Sequence, residues 1–509
     1  MTGVLMRGGR VRSADGRWCD AIAAEQGVIT WLGDAADAPA GLAVRDLDGA
    51  VVLPAFADAH VHTTMTGLAL GGLDLTGCGT REEAMKRLAG YAATHPAGVL
   101  LGTGWDESRW PDRAPLTSAD VDRAAPGRVV YLSRTDAHSG AISTALLSAE
   151  PGIAHETGFD ASGLLALDSH ERARKFAYAS VDPVQRRDAQ RRTRATAAAL
   201  GIGCLHENAG PVISGTDDLA DLAAIARDEP GPEVVTYWGG LDVEQARELG
   251  CAGAAGDLFL DGSIGSHTAA LSRPYTDRQI TRGILRHEAE DVTEHVIACT
   301  EAGLQAGFHV IGDLALATAL TGFEMAAVTI GAERVRAARH RLEHVELADE
   351  WLAARIARLG IVASVQPAFD AAWGGPDGMY ARRLGTWRAR GMNPFAMLES
   401  AGVALAFGSD APVTPLDPWG GVVAAVRHRT PEHRLAGTAA FAAHTLGSWR
   451  AGRIDDSGAL APGMAATFAL WDDPDGLVDT LLADEDPTGR AYPSCRATVV
   501  RGTVVHSST

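Results

Sequence analysis

The chain of 509 residues is short of lysine, of positive charge and of long apolar runs, and each shortage removes a class of function. Lys86 and Lys175 are the only lysines among 45 basic residues, so chemistry that requires a lysine has two candidates. Acidic residues number 64, a formal balance of −19, which argues against a surface for nucleic acid or anionic membrane, since both need clustered positive charge. No stretch approaches the ~20 apolar residues of a membrane span. Met1–Arg7 carries no signal-peptide apolar core, and the cytoplasm is the expected compartment. The six cysteines, Cys19, Cys78, Cys204, Cys251, Cys299 and Cys495, form no C-x-x-C pair, which leaves neither a disulfide framework nor a thiolate zinc site. A G-x-S-x-G elbow and a G-K-[ST] phosphate loop are also missing, which disfavours serine-hydrolase and nucleotide chemistry.

What remains is an ordinary globular composition, 46% hydrophobic and 21% charged. Both ends read as β: Val28–Leu32, Ala466–Trp471 and Ala497–Val505, the last broken at Gly502, are rich in strand formers. The reading joins 1–52 and 453–509 into one composite β-sandwich. Between them, short apolar runs alternate with Ala/Arg/Glu-rich helical stretches. Candidate strands at 51–56, 202–206, 233–238, 257–260, 305–311, 341–345, 361–365 and 403–408 make an α/β fold of the (β/α)₈ TIM-barrel type over 53–452. The segment from about 63 to 200 is too long for one connection and reads as an insertion above the barrel mouth.

Candidate chemistry sits at the strand ends. His60 and His62, two apart on a strand, point to one face and can share a cation. His309, His344 and Asp410 close three further candidate strands. In a (β/α)₈ barrel the carboxyl ends of all strands converge on one mouth, so these residues can meet. Four histidines and an aspartate there fit a metal site better than five separate packing roles. His340, at the other end of its strand, reads as structural.

Pro54 to His62, the stretch Asp261-Gly262-Ser263-Ile264-Gly265-Ser266, His309 to Asp313, Glu343-His344, Gln366-Pro367, Gly408 to Val413 and Gly458 to Gly463 together resemble the amidohydrolase superfamily, in particular the group that includes N-substituted formamide deformylase. The resemblance implies a distorted barrel with a composite β-sandwich, and a divalent cation, usually Zn²⁺, held by His60, His62, His309 or His344, and Asp410. Relatives often carry on the fourth strand a carboxylated lysine that bridges two metals; the matching position here is Asp257. One metal is therefore favoured over two, with Asp257 or Glu207 as alternative carboxylate ligands or as supporting hydrogen-bond acceptors.

The expected reaction is hydrolysis of a non-peptide C–N bond, such as an amide, N-formyl, cyclic amide or carbamate, by metal-activated water. Asp410 would carry the proton and His344 would stabilise the oxyanion. An ester or lactone hydrolase, a ring deaminase and a catalytically silent barrel are the alternatives. His138, Trp105, Gln366 and Trp373 are the candidate substrate-binding residues; Arg273 and His267 are weaker candidates for a carboxylate. The expected partner is a small molecule, and a homodimer is compatible with such a barrel.

Overall fold

Short buried runs alternating with amphipathic helices form eight parallel strands: β1 (Phe56–Val61), β2 (Ile202–Ala209), β3 (Glu233–Trp238), β4 (Gly253–Ala254), β5 (Gln305–Val310), β6 (Arg341–His344), β7 (Val362–Val365) and β8 (Ala404–Phe407), hydrogen-bonded in chain order. The computed structural model describes residues 3–211 and 213–508. β1, β2, β5, β6 and β7 are buried at every position, as expected for strands covered on both faces. The ring closes where Val61 bridges Ala411, just beyond β8, and where Asp410 N–H donates to the His60 carbonyl at 2.7 Å.

Two strand boundaries differ from the sequence reading. Val51–Pro54 is not the start of β1; it pairs antiparallel with Phe468–Asp472 and parallel with Val4–Arg12 in the terminal sheet. Both segments are buried throughout, so the apolar run alone does not show the break between them. The fourth strand is Gly253–Ala254 rather than 257–260, which instead runs beside β5 through a single bridge from Phe259 to His309. Gly256 makes the turn between them: its φ is +82°, and a Cβ there would lie 2.3 Å from Asn208 Oδ1.

The two chain ends form one eight-stranded sheet in the order 503–507, 494–500, 468–472, 51–54, 4–12, 18–25 and 28–33, with 43–46 added against 4–12. The sandwich expected from sequence takes the form of this sheet curled on itself: Val28 bridges Ala465, and Val11, Ile22, Ile29, Val52, Phe468 and Val499 pack into one core.

The residues after β1 build a second sheet, in the order 164–166, 139–142, 130–134, 100–105 and 73–74. Its core includes Leu88, Leu100, Trp105, Trp110 and Leu132. Trp105 is fully buried there and donates its indole N–H to the Leu132 carbonyl at 3.0 Å, so it is a packing residue and not a pocket residue. The helix Asp313–Ile330, 18 residues with mean hydropathy 1.4, is apolar enough by length and composition to cross a membrane. It is a barrel helix, with Leu316, Leu320 and Phe323 buried in the main core.

Candidate active site

The carboxyl ends of β1, β5, β6 and β8, with the Asp257 segment, bring their side chains to one point. His62 Nε2 lies 3.0 Å from Asp410 Oδ1 and 3.2 Å from Asp257 Oδ2. His60 Nε2 is 3.4 Å from Asp410 Oδ1 and 3.6 Å from Asp257 Oδ1. His309 Nδ1 and His344 Nε2 approach Asp257 Oδ1 at 3.2 and 3.6 Å. Asp257 thus touches all four histidines. Two overlapping groups, His60–Asp257–His344 and His60–His62–Asp410, hold ligand atoms within 4.8 Å of one another.

A cation fits these groups on their own chemistry. His60 Nε2 and His344 Nε2 are buried without a well-aligned hydrogen bond, the nearest carboxylate oxygens lying 3.4 and 3.6 Å away, a costly state that a divalent ion relieves. The local field also demands positive charge. Burial disfavours charge on His60 and His62, yet Asp257 and Asp410 overcome it, raising the first well above its ordinary pKa and the second to about 9. Burial likewise opposes ionisation of Asp257, but His60 and the other imidazoles hold it well below the usual carboxylate range.

Three of the four imidazoles are aimed by a partner behind them, which fixes the nitrogen left for the metal. His60 Nδ1 faces Glu343 Oε2 at 2.9 Å, His62 Nδ1 the Asn208 carbonyl at 3.1 Å, and His344 Nδ1 Gln366 Oε1 at 2.8 Å. Glu343 is fully buried and anchored by Arg341, whose Nε donates to it at 2.5 Å. His344, Val345 and Asp410 hold left-handed φ of +73°, +47° and +54°. Such conformations cost about 1–3 kcal/mol each in non-glycine residues and concentrate at functional sites.

Several sequence expectations are redirected. Glu207 is occupied elsewhere: its Oε2 accepts the Thr63 N–H at 2.6 Å, at the start of the helix after β1, and its Oε1 accepts from Ser214 Oγ at 3.2 Å. Gln366 orients His344 instead of lining the pocket. His267 pairs with Asp277 at 3.0 Å and Arg273 is exposed, so neither faces the site. His340 accepts the Ala306 N–H at 2.8 Å, a structural role.

A small cavity opens on His309, His344 and Asp410, and His138 and Trp373 line it. Burial and the neighbouring His309 lower the His138 pKa to about 3, so that imidazole is neutral. Within the insertion, a buried arginine that sequence reasoning missed gathers three carboxylates beside this cavity. Arg134 meets Glu107 at 2.8 Å, Asp136 at 2.9 Å and Asp106 at 3.2 Å. Asp136 Oδ2 in turn accepts from Ser263 Oγ and Ser266 Oγ, both at 2.7 Å, tying the insertion to the Asp-Gly-Ser stretch. Glu346 and Tyr380, also missed, lie on the same cavity wall. Arg341 was missed as well, although its spacing from Glu343 puts both side chains on one strand face.

Asp261, opening that stretch, accepts three backbone N–H groups, from Gly312 at 2.8 Å, Ala270 at 2.9 Å and Ile311 at 3.0 Å. Asp261→Ala leaves those buried donors unpaired and is expected to cost about 3 kcal/mol or more, read as a lowered urea midpoint at unchanged slope. A shift equivalent to under ~1 kcal/mol would show that the loop is held by other contacts.

Comparison with known proteins agrees with this geometry. A family model described as "Amidohydrolase family" matches residues 43–506. The chain is 28% identical over 413 residues to YtcJ of Bacillus subtilis (strain 168), covering 75% of this chain and 74% of that one. It is 22% identical over 472 residues to N-substituted formamide deformylase of Arthrobacter pascens, covering 84% of each chain. The crystal structure of an uncharacterized metal-dependent hydrolase from Pyrococcus furiosus superposes with a TM-score of 0.72 at 26% identity, over 92% of this chain and 98% of that one. With its nearly closed eight-stranded parallel barrel, an added sheet domain and residues able to hold a metal at the barrel mouth, this chain belongs to the amidohydrolase family.

Proposed function

We propose that this amidohydrolase cleaves a C–N bond other than a main-chain peptide bond, using one divalent cation, Zn²⁺ by the chemistry of its nitrogen and oxygen donors. The observation that carries this reading is the pair of carboxylates, Asp257 and Asp410, set among four oriented histidines beside a small cavity. His60, His62 and Asp410 would hold the ion, with Asp257 across from them. When bound, such an ion polarises a carbonyl and lowers the pKa of water to near 7. Asp410 takes the proton of the attacking water and passes it to the departing nitrogen, the step that separates amide from ester cleavage in difficulty. His344, at the cavity wall and oriented by Gln366, hydrogen-bonds the developing oxyanion.

The test has two parts. Metal content on protein purified without added metal is expected near one equivalent per chain, and His60→Ala is expected to lose it. Kinetics on an amide, an ester and a cyclic amidine of matched size are expected to show amide turnover. Turnover of the ester alone would reassign the enzyme as an esterase or lactonase, turnover of the amidine alone as a deaminase. Protein that neither contains nor takes up metal would leave a silent barrel.

A further inference from the structure

The cavity is apolar and acidic at once. Ile264, Ile311, Phe369, Trp373, Met379 and Val413 supply its apolar walls, and no arginine or lysine lines it among the described residues. Two carboxylates besides Asp410 face it, and they differ. The charge of Asp136 is met by Arg134 at 2.9 Å. Glu346 is 3% exposed, and the partner its carboxylate has is a neutral one, the Tyr380 hydroxyl, which donates to Oε2 at 2.5 Å. A carboxylate buried on a phenol alone is poorly compensated. Its position is nonetheless firm: the Glu346 carbonyl accepts the Asn393 N–H at 2.7 Å. Aromatic faces complete the surroundings, with Phe369 and Trp373 at 4.9 Å between centroids and Trp373 and Tyr380 at 6.3 Å. A lone carboxylate with aromatic rings is the chemistry that takes an organic cation.

We propose that Glu346 is a specificity-determining residue, and that the substrate bears, on an apolar arm remote from the scissile bond, a protonated amine that Glu346 receives among the rings of Phe369, Trp373 and Tyr380. Arms ending in a carboxylate are repelled by Glu346, with no arginine or lysine in the wall to receive them among the described residues. This rests on the hydrolase reading for the scissile bond, but the recognition itself is a binding property that can be measured apart from turnover.

Benzylammonium and its neutral counterpart benzyl alcohol, titrated calorimetrically into the metal-containing enzyme, give the first readout. Benzylammonium is expected to bind about tenfold tighter or better, and the ratio is expected to fall toward one in Glu346→Gln. Equal binding of the two probes to the wild type overturns the proposal, as does a preference that survives in Glu346→Gln. If that variant does not fold, Glu346→Asp, which withdraws the carboxylate by one methylene, is expected to lose most of the preference, and full retention overturns the assignment. Matched amides whose arms end in ammonium, hydroxyl or carboxylate are expected to rank in that order in kcat/KM; the reverse order overturns the proposal. If no amide is cleaved while the ammonium preference is present and depends on Glu346, the C–N reading fails and the recognition stands.

Discussion

Asp257→Ala is expected to empty the metal site and lower kcat/KM by about 10³-fold or more, which corresponds to about 4 kcal/mol of transition-state stabilisation. Among the described residues no other side chain touches His60, His62, His309 and His344 together, at 3.2 to 3.6 Å. Without it, four imidazoles face one another with Asp410 as the remaining negative charge, and a divalent ion loses both a ligand and half of its neutralisation. Asp257→Asn keeps the shape and removes the charge, so the loss is expected to be nearly as large. Metal analysis by mass spectrometry with kinetics on the same preparations checks both. Wild-type metal content in Asp257→Ala would reduce Asp257 to an orienting group. A wild type with two equivalents, falling to one in the variant, would show it to be a bridge in the place of the missing lysine.

Arg134→Ala is expected to destabilise the insertion and, through Asp136, its contact with the barrel. The guanidinium is 4% exposed and is shared by Asp106, Glu107 and Asp136, each less than a tenth exposed. Truncating one member of a buried ionic group leaves uncompensated charge and costs about 3–5 kcal/mol. For a unit of this size that lowers its unfolding temperature by roughly 10 °C. Because Asp136 also grips Ser263 and Ser266, the same change is expected to raise KM by disordering the cavity wall. Limited proteolysis should then cut first within the segment after β1. An unchanged melting curve and cleavage pattern would show that packing alone holds the insertion. Arg134→Lys is not expected to rescue, since one ammonium cannot serve three carboxylates arranged around a planar fork.

Much of this site was legible because a parallel barrel turns sequence position into spatial position. His60, His62, His309, His344 and Asp410 end strands recognisable by their apolar runs, and the ends of such strands converge whatever their separation along the chain. Asp257 was harder to read, because its strand is two residues long and the ligand comes after the turn at Gly256, where no periodicity applies. Glu207 and Gln366 were drawn toward the site by the same strand-end logic, yet each is claimed by a nearer donor or acceptor, Thr63 in one case and His344 in the other. Arg134, Glu346 and Tyr380 gave no local signal. Their partners lie on other elements, and a lone charged residue in an apolar run does not announce which distant group will meet it. Trp105 shows the opposite error: an aromatic in a glycine-rich stretch looked like a pocket wall, but its segment is a strand with its own core.

The strand Val51–Pro54 has a bearing on how the polypeptide comes off the ribosome. Its antiparallel neighbour, Phe468–Asp472, lies more than 400 residues further along the chain and is made that much later. Only Ala55 separates it from β1, which presents His60. The first candidate metal-site strand therefore waits, joined to a segment with one unmatched edge, until those residues are made, and contacts of such long sequence separation form slowly. A nascent chain halted before residue 468 is expected to remain chaperone-bound and unable to acquire metal, even with all four histidines and both aspartates already synthesised. Acquisition of the cation would thus wait on pairing with Phe468–Asp472, coupling maturation of the candidate site to a contact between distant parts of the chain.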